Sequence, residues 1–166
     1  MGSPHTIWSV PAIHGELERL TALHDHIYEF IQPQDRIVYH GNYTGYSANA
    51  AACIEEILTF RRMVLARRGM MPSDFVYLRG QQELIWEKML QLPFAQHPTQ
   101  VLEWMLDHGL RATLHAYDLS PQDALEATQL GVIYLTRWIQ FARKAVRVHA
   151  GHEQFMTQLK RAAYTN

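Results

Sequence analysis

Cysteine is almost absent: Cys53 stands alone among 166 residues, which excludes an internal disulfide and fits a reducing compartment. Positive charge is not in excess, since 15 Lys and Arg face 16 Asp and Glu, so no basic field exists to draw nucleic acid or an anionic membrane. No apolar run approaches membrane-spanning length, and Met1 to Val10 lack the basic region and apolar core of a signal peptide. A cytoplasmic chain is expected, with neither nucleic acid nor membrane as partner. Gly-x-x-x-x-Gly-Lys and Gly-x-Gly-x-x-Gly phosphate loops are missing too, as are internal repeats and low-complexity segments. Ser47, Ser73 and Ser120 fall at helix or turn starts and Cys53 falls mid-helix, a pattern that does not support a Ser/His/Asp or Cys/His nucleophile.

What is present is 48% hydrophobic content, enough for one domain over residues 1–166 with a real core. Short apolar runs at Ile7–Val10, Arg36–Tyr39 and Phe75–Leu78 read as strands, separated by helical periodicity over residues 16–31 and 48–68. Ser47 is a possible cap for the second helix, with Cys53 as core packing within it. Helical patterns then follow over residues 82–92, 98–108, 110–117, 121–149 and 152–164, with Pro93 and Gly109 as breaks and Ser120-Pro121 as a helix entry. The predicted class is α/β. A short, mainly parallel sheet comes from a βαβαβ part over residues 1–92, and residues 93–166 form an α-rich part.

Each strand ends in a loop corner that precedes a helix: Ala12-Ile13-His14-Gly15, Gly41-Asn42-Tyr43-Thr44-Gly45 and Gly80-Gln81-Gln82-Glu83. In a parallel sheet all three open at the same edge, where α/β sheets place their sites. The glycines at 41, 45 and 80 read as corner residues needing permissive backbone angles. In register, these corners resemble those of the calcineurin-like metallophosphoesterases, in particular the serine/threonine-protein-phosphatase-like branch, whose corners read Asp-x-His-Gly, Gly-Asp-x-x-(Asp or Gly) and Gly-Asn-(His or Gln)-Glu. The resemblance covers roughly the first 90 residues well and the helical remainder loosely.

It implies that the first ligand Asp falls at Ala12, the ligand His at His14, the bridging Asp at Asn42 and the ligand Asn at Gln81. Gln82 takes the place of the family's acid histidine, and Arg79 and Glu83 match. It also implies further metal-binding histidines from a second half of the fold, expected beyond residue 166.

The departures weaken any metal. Ala12 has no donor atom, and Asn42 replaces a bridging anion with a neutral amide. Gln81 moves its amide oxygen outward by one methylene, where ligand distances must hold to about 0.2 Å. One imidazole does not hold a catalytic metal where three or four protein ligands are usual.

Other groups have bland readings. His149-Ala150-Gly151-His152 is a weak metal candidate, because two histidines without nearby acids make a poor site, and a helix break fits it better. His24, His26, His108 and His115 read as structural or solvated. Trp86, Trp104, Trp138, Phe141, Phe155, Met89 and Met105 read as core. The expectation is a shortened, non-catalytic metallophosphoesterase-like domain without a cofactor, acting with a protein partner or as a homo-oligomer. One alternative is a residual phosphoesterase using Mn, Fe or Zn with ligands completed by a second chain. The other is a metal-free phosphate or small-molecule sensor built on backbone N–H groups after Gly15 and Gly80.

Overall fold

The computed structural model describes residues 4–164. Strands β1 (Ile7–Val10), β2 (Arg36–Tyr39) and β3 (Phe75–Tyr77) form one parallel sheet in the order β1-β2-β3. The connections carry α1 (Leu17–Phe30) and α2 (Ala50–Leu65). The rest is helical: α3 (Gln81–Met89), α4 (Pro98–Met105), α5 (Arg111–Ala116), α6 (Pro121–Leu130), α7 (Val132–Val148) and α8 (His152–Thr157). This is the α/β class expected from the strand and helix patterning. Among the described residues no helix is long and apolar enough to cross a membrane.

Period-two geometry explains the first core. Trp8, Ile37 and Phe75 are neighbours across the sheet, as are Val10, Tyr39 and Tyr77. All six fall on one face, which packs on Leu20 and Ile27 of α1 and on Cys53, Ile54, Ile57 and Phe60 of α2. Cys53 is fully buried, and burial pushes its thiol up to about 12. His24 is also buried, bonded to Glu56 at 2.6 Å and to the Tyr39 hydroxyl at 2.8 Å and stacked on Phe60. Desolvation lowers its pKa even though Glu56 opposes the shift. It is a satisfied core histidine.

The second core belongs to the helices and joins Ile85, Trp86, Met89, Leu102, Leu114, Leu135, Trp138 and Ile139. α6 starts at the expected Ser120-Pro121 entry, and the Ser120 Oγ caps it by accepting the Asp123 N–H at 3.2 Å.

Several sequence expectations are corrected. The helix expected over residues 121–149 is two helices, because Gly131 adopts φ 105° and ψ 176°, a region that strains residues with a side chain. Trp104 and Phe141, expected in the core, are 48% and 57% exposed. Ser47 does not cap α2: the flanking residue is Asn49, whose N–H reaches Ser47 Oγ at 3.4 Å. The helix expected over residues 152–164 stops at Thr157, after which Lys160 pairs in parallel with Leu78 beside β3. Lys160 N–H donates to Tyr77 O and Arg79 N–H to Lys160 O, each at 2.8 Å. The carboxyl-terminal segment thus covers an edge that would otherwise present unpaired backbone.

Candidate functional site

The three corners converge. Asn42 O accepts the N–H groups of Ile13 at 3.1 Å and His14 at 2.7 Å, and Gly15 N–H donates to Tyr43 O at 3.2 Å. Gly41 and Gly80 meet backbone to backbone: a Cβ at Gly41 would lie 2.3 Å from Gly80 N, and one at Gly80 would lie 2.3 Å from Asn42 N. His14 and Asn42 both adopt left-handed backbone, at φ 51° and 54°, a conformation that persists in such residues only where surrounding contacts over-determine it.

Glu83 is the one carboxylate in the three motifs, and it is 5% exposed. Its Oε2 accepts the N–H groups of Asn42 at 2.8 Å and Gly80 at 2.9 Å, and its Oε1 accepts that of Tyr43 at 2.9 Å. Asn42 Oδ1 accepts the Gln82 N–H at 3.1 Å, so an amide from the second corner caps the helix that leaves the third. Gln82 is buried with its Nε2 donating to His108 O at 2.9 Å. It ties α3 to the wide turn over residues 106–110, where Gly109 takes φ 105°. Tyr43 is fully buried, its hydroxyl donates to Leu78 O at 2.8 Å, and burial followed by Glu83 raises its pKa.

The remaining corner residues do not form a ligand set. Ala12 and Gln81 are exposed. His14 is half-buried, lies edge-on to Tyr46 at 5.3 Å, and keeps an unpartnered, buried Nδ1. Arg79 pairs with Glu87 on α3. A cavity of about 320 Å³ adjoins Glu83 and is also lined by Arg79, Trp86, Arg143 and Met156. After Gly15 the N–H groups of Glu16 and Leu17 are taken by Ile13 O and Gly15 O, and after Gly80 that of Gln82 is taken by Asn42 Oδ1. These N–H groups are thus already committed and not open to an anion.

His149 and His152 do not join His14. They gather at Glu55 of α2, and among the described residues Glu55, His149 and His152 are the group of three possible metal-ligating side chains whose ligand atoms lie within 4.8 Å of one another. Sequence reasoning reached both histidines and missed the acid. Glu55 lies 94 positions from His149, on the exposed side of a helix, and no local motif marks it. Comparison with protein-family models, curated proteins and solved structures finds no match to this chain.

Proposed function

We propose that this chain is a degenerate metallophosphoesterase-like domain that acts without catalysis, as a subunit, assembly factor or regulator in a cytoplasmic protein complex. The observation carrying this reading is the use made of the corner. Three corners of the family pattern meet at the sheet edge, yet Glu83 and the Asn42 amide oxygen are spent on backbone N–H groups. A pair of divalent cations needs uncommitted anionic donors, and Ala12, His14, Asn42 and Gln81 supply none. The same commitment of N–H groups weighs against a phosphate sensor at this edge.

The test is direct. Protein purified from manganese-supplemented culture is expected to show no turnover of p-nitrophenyl phosphate or bis-p-nitrophenyl phosphate, and His14→Ala is expected to leave its metal content unchanged. Stoichiometric manganese or iron, lost together with turnover in His14→Ala, would overturn the non-catalytic reading and favour a phosphoesterase completed by a second chain.

Support for a protein contact comes from α7 and the end of α6. Leu130, Val132, Ile133, Tyr134 and Phe141 are each more than half exposed. Ile133 and Phe141 lie eight positions apart in the same helix, two turns along the side away from the core residues Leu135, Trp138 and Ile139. Clustered apolar exposure of this kind marks interaction surfaces on soluble chains. In light scattering the chain is expected to run above the 19.3 kDa of one copy or to co-purify with a partner, and Ile133→Glu with Phe141→Glu is expected to abolish that association. A lone monomer at tens of micromolar from the native host would sink this part of the proposal.

A further inference from the structure

The geometry points to a zinc site, separate from the strand-end corner, formed by Glu55 of α2, His149 at the end of α7 and His152 at the start of α8. Glu55 Oε1 lies 3.0 Å from His149 Nδ1 and 3.9 Å from His152 Nε2. All three ligand atoms fall within 4.8 Å of one another. Tetrahedral zinc with bonds near 2.0–2.2 Å sets its ligand atoms about 3.4 Å apart. Only small side-chain movements separate the observed arrangement from that one, and Glu55, 58% exposed, is free to make them.

The second observation is independent of the clustering. The His152 side chain is fully buried, and its Nε2 has no hydrogen-bond partner while it faces Glu55. A buried nitrogen left unpaired carries a desolvation penalty that a ligand relieves. The other ring nitrogen, Nδ1, lies 2.9 Å from the Tyr117 hydroxyl, itself buried. With Nδ1–H donating to Tyr117, the lone pair of Nε2 points at the cluster, which is the arrangement metal-bound imidazoles adopt with their outer partners.

The backbone assembles the pair. Gly151 takes φ 85° between the two helices, and the tight turn stacks the His149 and His152 rings with centroids 4.9 Å apart. His149 is partly exposed and His152 fully enclosed, so zinc would enter from the surface and meet the buried nitrogen last, with its fourth position left to water. Two imidazoles and one carboxylate suit zinc better than the hard cations magnesium and calcium, which prefer oxygen. The bound ion would pin α2 of the sheet-bearing part to the α7–α8 hinge of the helical part.

Zinc titration of the EDTA-treated full chain, followed by calorimetry and thermal melting, tests this. One zinc per chain is expected to bind, raising the melting temperature by roughly 5–10 °C at a hundredfold excess over Kd. Glu55→Gln and His149→Ala, both at accessible positions, are expected to weaken binding at least about tenfold and to abolish the thermal shift. Cobalt in place of zinc should give the visible spectrum of a tetrahedral nitrogen and oxygen site in the parent chain and lose it in both variants. Absence of zinc binding at 100 μM, or binding and cobalt spectra unchanged in both variants, overturns the site. Neither result bears on turnover at the corner, because His14 takes no part.

Discussion

Glu83→Ala is expected to destabilise the fold by about 4 kcal/mol, because it strips acceptors from three backbone N–H groups at once and each buried donor left unsatisfied costs roughly 1–3 kcal/mol. The N–H groups of Asn42 and Tyr43 point away from any strand partner and into the carboxylate, and the Gly80 N–H belongs to the unsatisfied start of α3. Water cannot replace the carboxylate cheaply at a site where Glu83 and Tyr43 are buried. For a chain of this size the loss corresponds to a fall in melting temperature of roughly 8–16 °C. Glu83→Gln should be intermediate, since its amide keeps one acceptor oxygen and turns a donor toward donors. Urea unfolding of the two variants checks the order, and a Glu83→Ala midpoint equal to that of the parent would show that the corner is not held by this carboxylate.

Gly80→Ala should cost about 3 kcal/mol or more, at the upper end of the range for overpacking. The reason is contact and not backbone preference. Gly80 has φ −95° and ψ −173°, angles open to any residue, but an added Cβ would lie 2.3 Å from Asn42 N and 2.5 Å from Asn42 Oδ1. These neighbours cannot retreat, because Asn42 O is bonded to Ile13 and His14 and its N–H to Glu83. Gly131→Ala separates the two effects: nothing lies within 4 Å of its added Cβ, yet φ is 105°. It should cost only about 1–2 kcal/mol, from backbone strain alone. Comparable losses at Gly80 and Gly131 in calorimetric melts would mean that the second and third corners are not packed backbone to backbone.

Much of the sheet-bearing half was legible because its signals are local. Alternating apolar runs place Ile37, Tyr39 and Phe75 on a buried face, and the glycine-bearing corners place three loops at one edge, whatever lies farther along the chain. Cys53 as a small buried group and Ser120-Pro121 as a helix entry were legible for the same reason. Trp104 and Phe141 were misread, because helical spacing identifies an apolar side without telling whether a second apolar side of the same helix is covered. The break at Gly131 was overlooked because an isolated glycine inside a periodic run is tolerated as often as it ends a helix.

By itself the sequence determined the α/β class, the three corners and their shortage of anionic donors, since strand alternation, glycine conformation and side-chain chemistry are properties of neighbouring residues. Tertiary structure alone decided how the polar atoms are spent: Glu83 on backbone 40 positions away, Lys160 beside β3, and Glu55 against His149 across 94 positions. A hydrogen bond or a metal site depends on distances of a few ångströms, and packing sets those distances between residues whose separation in sequence carries no periodic signal.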